Sequence, residues 1–568
     1  MKNLILKIFY LCKDMKLSFI KIQFLIIFYG FAQTLTIILI KPYIDAVLNQ
    51  SKFVRLDFFS IGYNISFKTF SIFYIFLFIG TTFLSIYSLR EIIIFAQKIG
   101  VRLKSLVFYN FLNIPFKKYL GTSSSDVQTY VTIEMQRAIS NIIQPILLLL
   151  YRLIPIIFIL IFLFYLSLKF TFLILILILF LIIILISLFK KKLLNADSTL
   201  NTVHLKISKN VLENFKNIKQ IKVFGLNNYF FYDFLKNINK LVYAVPVVRV
   251  IEQIIKGSIE TLFIIAILGL SLINFNKSEF INYAPVISAY IFALYRILPG
   301  FQTIYSTIVS LRGNKKSIEF LGNLDLQNTS RNLNILTNQI NQKKNTEINK
   351  KNFLNFEMIE IENLNFSYGE RNIILSKNYR FKKKNVYGLK GLSGAGKTTL
   401  LDILSGLLKP DKGQFFLDKK KIDYEDYEKI SSQISYSTQK TAIFNSSILE
   451  NITFKKNKNE VDATKLNKII NICGLEYVLK NLKEGMDHII VENGENFSGG
   501  QLQRIGLARC LYQDFGILML DESTSALDKI SEKFILENII KTYKENSIIF
   551  IINHSNDLDY LIDDFIYL

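Results

Sequence analysis

Over roughly the first three hundred positions, apolar residues do not recur every third or fourth place, as on a half-buried soluble helix. They fill whole stretches between charges. A helix that crosses a bilayer needs about 20 mostly apolar residues, because only an internally hydrogen-bonded backbone of that length spans the hydrocarbon. Six stretches meet the requirement: Ile22–Ile40, Thr69–Leu89, Gln144–Leu168, Phe170–Phe189, Ile254–Phe275 and Ile281–Leu311. Only Lys169 stands between the third and fourth, so a tight turn is expected there. About fifty residues of charged, helix-forming sequence separate the second span from the third, and the fourth from the fifth.

The pattern changes after the sixth span. From Asn314 to Asn352 the chain is rich in Asn, Lys, Gln and Thr with few aromatics, which places a linker over 314–355. Beyond it come short apolar runs such as "NVYGLK" (Asn385–Lys390) and "ILMLDE" (Ile517–Glu522), the signature of strands buried in a parallel sheet. The expected fold is a multi-domain membrane protein. An all-α, six-helix transmembrane domain over 1–313 precedes an α/β P-loop domain over 356–568.

Charge sharpens the topology. The two long loops carry eighteen Lys and Arg, from Arg90 to Arg137 and from Lys190 to Arg249; the three opposite loops carry six. Basic residues stay on the cytoplasmic side, so the long loops, both termini and the C-terminal domain are expected in the cytoplasm of a multi-pass protein of the inner (plasma) membrane. The net charge of +23 is explained by those loops, and no recognition motif for nucleic acid accompanies it. Cys12, Cys473 and Cys510 have no metal-ligand spacing and read as free thiols in a reducing compartment. The opening "MKNLILKIFYLCKDMKL" lacks a small-residue cleavage site and reads as an amphipathic segment on the membrane surface.

The chemistry begins after Lys390, where the chain reads "GLSGAGKTTLLDILSGLL". Gly391, Gly396, Lys397 and Thr398 have P-loop spacing, between a strand and a helix as the motif requires. The glycines let backbone N–H groups fold around phosphate oxygens, Lys397 neutralises the β and γ groups, and Thr398 faces Mg²⁺. "ILMLDE" delivers Asp521 and Glu522 at the C-terminal tip of a strand, where α/β sheets bind ligands; a solvated acidic turn is the plainer reading of the same residues. Asp521 would join the metal's coordination sphere and Glu522 would polarise the attacking water. "FSGGQ" opens a helix with Gly-Gly, poor helix material. Alone it reads as an ordinary turn; beside a triphosphate it offers bare amides to the γ-phosphate, with Arg504 keeping the region electropositive.

Taken together, these motifs resemble the nucleotide-binding domain of ABC transporters, in family order over about two hundred residues. The resemblance implies ATP and Mg²⁺ as cofactors. It casts Tyr368 as the adenine-stacking aromatic, and Gly391, Ser393, Gly394, Ala395, Gly396, Lys397, Thr398 and Thr399 as the Walker A cradle. Gln439 matches the Q-loop glutamine that contacts Mg²⁺; Ser498, Gly499, Gly500 and Gln501 match the signature; Asp528 ends the D-loop. Thr398, Gln439 and Asp521 would hold the metal, and Glu522, His554, Lys397 and Gln439 would carry catalysis. Phe497 stands where the signature usually has Leu, a swap an apolar pocket tolerates. His204 and His488 match nothing and read as structural.

In this family the signature of one subunit completes the ATP site of another. A chain with one of each is therefore expected to pair, most simply as a homodimer. The membrane half resembles the exporter type, with "FLNIPFKKYLGTSSSDV" (Phe111–Val127) and "ENFKNIKQIKVFG" (Glu213–Gly225) resembling its two intracellular loops. "ISAYIFALYRILPG" (Ile287–Gly300) resembles a helix of lipid-linked oligosaccharide flippases. Charges inside spans are costly and usually functional, so Arg296 and Arg152 are candidates for an anionic head group; Arg152 could equally snorkel to an interface. The expected activity is ATP-driven flipping or export of a lipid-linked oligosaccharide or related lipid. A general lipid, drug or peptide exporter is the alternative, and an ATP-gated regulator that moves nothing is a third reading.

Overall fold

A computed structural model describes residues 15–58, 61–120, 124–272, 277–314, 318, 356–424, 427, 430, 433–491, 494, 496–553 and 556–568. The chain divides into two compact units, Met1–Ile114 with Thr122–Asn341, and Pro115–Gly121 with Gln342–Leu568. Residues 115–120 are grouped with the C-terminal unit.

The first unit is built from long helices: α1 (Lys16–Ile38), α2 (Ile40–Leu48), α3 (Phe67–Leu112), α5 (Gln144–Leu166), α6 (Leu168–Lys216), α7 (Ile218–Val223), α8 (Asn227–Leu272) and α9 (Lys277–Gly313), while α4 (Phe116–Tyr119) falls in the second. Two π segments, Tyr130–Glu134 and Ile139–Ile143, lie in the helical run leading into α5. Among the described residues four runs are long and apolar enough to cross a membrane: Lys16–Leu48, Phe67–Leu112, Val127–Leu166 and Ala284–Ile308. The fourth expected span falls within α6 and the fifth, as far as Leu272, within α8; many side chains of both helices lie outside the described residues.

Helices in an apolar solvent gain nothing from hiding Leu and must fit closely, which small residues allow. A Cβ on Gly30 of α1 would come within 3.0 Å of Phe158 and 3.2 Å of the Pro155 backbone on α5. A Cβ on Gly300 of α9 would come within 2.2 Å of Ile156. The turn between α5 and α6 falls at Ser167, which is extended (φ −162°, ψ 113°). The carbonyls freed at the end of α5 take side-chain donors instead of a further helical turn. Thr171 Oγ1 donates to Leu163 O at 2.8 Å, and Tyr290 Oη from α9 lies within hydrogen-bond reach of both Leu163 O and Ser167 O, 3.2 Å from each.

Between α2 and α3 the chain forms a hairpin, β1 (Phe53–Phe58) with β2 (Ile61–Ser66). Val54 is buried with Leu39, Ala46 and Phe70, while Phe53 on the opposite face is exposed. This period-2 alternation is too short to register against the hydropathy of its neighbours.

Among its described residues the second unit holds two sheets. One is parallel, in the order β11 (Asp564–Tyr567), β5 (Val386–Lys390), β10 (Ile548–Ile552), β9 (Ile517–Asp521), β8 (Ile434–Ser437). Strands β9 and β10 are buried at every position, as strands covered on both faces must be. The other is antiparallel, in the order β4 (Arg371–Lys382), β3 (Met358–Tyr368), β6 (Lys412–Leu417), β7 (Lys420–Ile422). A core including Phe366, Phe381, Phe415, Leu400, Met519 and Phe550 gathers side chains from both sheets, and Phe116 of α4 packs against it. The remaining helices are α10 (Lys397–Leu404), α11 (Ile448–Thr453), α12 (Ala463–Ile472), α13 (Glu476–Lys480), α14 (Gly499–Tyr512) and α15 (Lys529–Tyr543). The register of the parallel sheet (Ile552 opposite Asp521, Leu520 opposite Ser437) brings the C-terminal ends of β8, β9 and β10 level along one edge.

Candidate nucleotide site

Everything the P-loop needs leaves that edge. After β5 the backbone turns through Gly391 (φ +156°), Gly394 (φ +82°) and Gly396 (φ +103°), left-handed values that residues with a Cβ rarely adopt. Side chains would also clash: a Cβ on Gly391 would lie 2.9 Å from Leu568 O, and one on Gly396 2.8 Å from Ile373. Ala395 N–H closes the turn onto Leu392 O at 3.1 Å, and Ser393 is exposed on the loop. Gly396 is the N-cap of α10, so the helix's orphan N–H groups face the concavity. Lys397 Nζ lies across it, donating to Gly391 O at 2.8 Å and Leu392 O at 3.1 Å.

The acidic side of the site comes from β9. Asp521 is buried; desolvation pushes its carboxyl up, and hydrogen bonds with Thr398 and Tyr436 oppose that shift. Glu522, the next residue, has φ +48°, a left-handed conformation costing a residue with a Cβ about 1–3 kcal/mol. Its N–H donates to Ile552 O at 3.1 Å, which holds the bend. Gln439, just past β8, donates from Nε2 to Glu522 Oε2 at 2.7 Å. Thr398, Gln439, Asp521 and Glu522 are therefore one cluster. The hydroxyl of Thr398, the carboxylate of Asp521 and the side-chain carbonyl of Gln439 form an all-oxygen donor set of the kind a hard divalent cation takes. His554 lies outside the described residues.

Tyr368 ends β3 with its ring 37% exposed, edge-on to Phe366 at 4.9 Å. Its hydroxyl meets Thr399. The hairpin that presents Tyr368 pairs it with Arg371, whose Nη2 comes within 4.0 Å of the point a Cβ on Gly394 would occupy. Arg371 sets a second cation beside the P-loop and was missed from sequence. Its signal is subtle: an arginine three residues after the aromatic, across a glycine turn.

The signature segment answers why Gly-Gly opens α14. Ser498 is the N-cap, its Oγ accepting from Gln501 N at 3.3 Å while Gln501 Oε1 accepts from Ser498 N at 2.9 Å. This capping box consumes two donors, so the helix start is not wholly bare; Gly499 and Gly500, in the first turn, keep N–H groups with no intrahelical acceptor. A Cβ on Gly500 would lie 3.0 Å from Ala526 O, and one on Gly499 3.5 Å from the Ala526 side chain. Glycine is needed because the D-loop is packed against the helix start. Gln503 locks that contact, accepting from Ala526 N at 2.8 Å. A cavity of about 490 Å³ opens between the signature, the D-loop and Tyr477.

Two of the residues singled out from sequence also hold the local fold. Arg504 is a brace: it donates to Cys473 O and Gly474 O at 3.1 Å and to Ser531 Oγ at 2.7 Å. Asp528 caps α15, accepting from Ser531 N at 2.9 Å, and that backbone bond draws its carboxyl down. Cys473 and Cys510 are buried free thiols in one apolar cluster.

In the helical unit, Arg296 lies on α9 with its guanidinium 5.2 Å from the Phe78 ring, and its buried Nε has no hydrogen-bond partner among the described residues. Phe292 meets Phe78 edge-on at 5.6 Å. Arg152 on α5 stacks over Tyr151 at 5.0 Å, and its Cβ is 3.7 Å from a Cβ position on Gly300.

Comparison with known proteins agrees with this arrangement. Residues 19–296 match the model of the ABC transporter transmembrane region, and residues 376–525 match that of the ABC transporter ATP-binding family. The heterocyst differentiation ATP-binding protein HepA of Nostoc sp. is 29% identical over 365 residues, 63% of this chain and 56% of that protein. An ATP-dependent lipid A-core flippase of Cupriavidus pinatubonensis is 35% identical over 175 residues, 30% of each chain. The alpha-hemolysin translocation ATP-binding protein HlyB of Escherichia coli O157:H7 is 36% identical over 195 residues, 34% of this chain and 27% of that one. The matched stretch thus spans about half of HepA and about a third or less of the other two. Among solved structures, a bacterial Atm1-family ABC exporter with ATP bound superposes with a TM-score of 0.75 at 17% identity, covering 97% of this chain and 93% of that one. An apolar helical unit followed by a P-loop unit, each matched by its own model in the same order, makes this chain an ABC transporter of the exporter half-transporter type, with transmembrane and ATP-binding domains fused.

Proposed function

We propose that the protein hydrolyses ATP to drive export or flipping of an amphipathic substrate across the inner membrane, working as a homodimer with its nucleotide units in the cytoplasm. The observation that carries the reading is the single cluster of Thr398, Gln439, Asp521 and Glu522 on the edge that also carries Lys397. Tyr368 stacks on adenine, the P-loop amides and Lys397 hold the phosphates, and Arg371 adds positive charge. Thr398, Asp521 and Gln439 would hold Mg²⁺, which when bound neutralises charge on the phosphate chain. Glu522 takes a proton from the attacking water, and Gln439, bonded to it at 2.7 Å, orients that carboxylate. His554 is assigned to the γ-phosphate side. Gly499 and Gly500 of each subunit supply amides to the other's γ-phosphate, so ATP favours the paired arrangement, and this difference in affinity is what moves the helices.

For the substrate, the unpartnered Nε of Arg296 within an apolar helix supports an anionic head group, and the lipid A-core flippase among the relatives supports a lipid. A lipid-linked oligosaccharide fits both. The HlyB resemblance favours a second reading, a general lipid, drug or peptide exporter.

The test is the full chain in lipid vesicles. Glu522→Gln is expected to keep ATP binding and lose at least about 100-fold in phosphate release. ATP-dependent flipping of a fluorescent lipid-pyrophosphate-saccharide, stopped by the same substitution, would support the lipid reading. Phosphate release near the parental rate would remove Glu522 as the base.

A further inference from the structure

Behind the cluster stands a second pair of residues that no nucleotide motif uses. Tyr436 lies on β8 opposite Met519 of β9, two residues before Asp521, so the strand's alternation puts Asp521 on the same face as Met519. Its Oη reaches Asp521 Oδ2 at 3.3 Å. The carboxyl of Asp402 is the other acid beside this hydroxyl. Asp402 is on α10 four residues after Thr398, and residues four apart share a helix face. Thr398 and Asp402 therefore both point toward Asp521, one turn apart. A half-buried acid without a phosphate or metal role is costly unless it does something.

A phenol has one proton to donate. It can satisfy Asp521 or Asp402, but not both together. We propose that Tyr436 and Asp402 are positioning residues for the cation-binding carboxylate: the Tyr436 hydroxyl holds Asp521 in place and turns to Asp402 when a divalent cation draws on Asp521. This is a rotation of one O–H, with no proton changing owner. Without Asp402, the hydroxyl has no second acceptor and competes with the cation. Without the hydroxyl, Asp521 has lost one of its two side-chain supports. The inference rests on the ATPase reading above.

The experiment uses the full chain in nanodiscs with a non-hydrolysable ATP analogue. Mn²⁺ binding is followed by electron paramagnetic resonance, and nucleotide affinity is measured separately without metal. Tyr436→Phe is expected to weaken Mn²⁺ binding about 3- to 10-fold, the scale of one ordinary intramolecular hydrogen bond, with metal-free nucleotide affinity within about twofold. Asp402→Leu should shift Mn²⁺ binding the same way, Asp402→Asn, which keeps an acceptor, should stay within about twofold, and the Tyr436→Phe/Asp402→Leu double variant should be no weaker than the worse single. Tyr427→Phe loses a buried bond to Leu404 O (2.8 Å) on the same helix and should leave Mn²⁺ binding unmoved. Parental Mn²⁺ affinity in Tyr436→Phe, single effects that simply multiply, or an equal shift in Tyr427→Phe would each overturn the inference. A parent chain that takes up no nucleotide-dependent Mn²⁺ would instead bring down the ATPase reading, and the inference with it.

Discussion

Lys397 and Arg296 are both cations with little exposure to solvent, one in each unit, and they differ in what holds them. Lys397 Nζ is bonded to two carbonyls of its own loop, which the spacing of Gly391 and Gly396 determines. Arg296 has an aromatic ring beneath its guanidinium and no acceptor on Nε among the described residues. A phosphate chain has fixed charge and fixed oxygen spacing, so the residues that bind it recur at fixed intervals. An amphipathic cargo asks only for a charge at one depth and small residues where helices cross. The same physics therefore leaves a motif in one unit and only a composition in the other.

The contrast breaks most sharply at Gly500. Valine there would meet Ala526 O at about the 3.0 Å found for the Cβ alone and press on Leu527. Overpacking of this kind costs about 1–3 kcal/mol locally. The larger effect is on chemistry, because the first-turn amides of α14 would be displaced from the partner's γ-phosphate, and losing one such donor costs about 100-fold or more in turnover. Gly500→Val is expected to lower ATPase by about 100-fold while each subunit still binds nucleotide through its own P-loop. Near-parental turnover would mean that the signature does not complete a second site.

In the helical unit the corresponding substitution should separate two activities. Arg296→Ala orphans no acceptor at Nε among the described residues, and costs Phe78 a cation–π contact of about 0.5–2 kcal/mol. Flipping of a pyrophosphate-linked lipid is expected to fall about tenfold, the value of one charge-assisted bond, with basal ATPase within about twofold. Arg296→Lys should recover part of the loss. Equal flipping in all three chains would remove the head-group role and leave the general-exporter reading.

What could be read in advance follows the same division. The P-loop, the Asp521–Glu522 pair and the signature were legible because each is a local run whose chemistry dictates its residues. Gln439 meeting Glu522 was less so, since β8 and β9 become neighbours only through the sheet order. The β1–β2 hairpin was hidden by flanking apolar helices, and the contacts of Arg504 to Cys473 O and Gly474 O arise only where α14 meets the end of α12. Arg371, Tyr436 and Asp402 lie outside the motif strings; their roles arise from a hairpin pairing, a strand face and a helix face meeting in space.

The smallest expected effect lies with Asp402, where the nucleotide unit behaves like the helical one and tolerates a charge at a cost. Burial pushes its carboxyl up to about 6, with Asp521 adding repulsion and Tyr436 partly offsetting both. In the unfolded chain an aspartate ionises near pH 4. As pH climbs from about 4 to 6 the unfolded chain therefore releases its proton first, and the folded unit loses stability across that window; above it the loss is complete and levels off. Acidification through the same range restores it, the reverse of an ion-paired aspartate. Asn at this position cannot ionise, so Asp402→Asn should gain on the parent between pH 4 and 6 and hold a constant lead above. Solvent reaching the half-buried group limits that lead to on the order of 1–2 kcal/mol. The measurement is the melting midpoint of the full chain in nanodiscs by circular dichroism, stepped from pH 4 to 7.5 for both proteins. Parallel curves would show that Asp402 stays ionised through the window and that Tyr436, not burial, sets its charge.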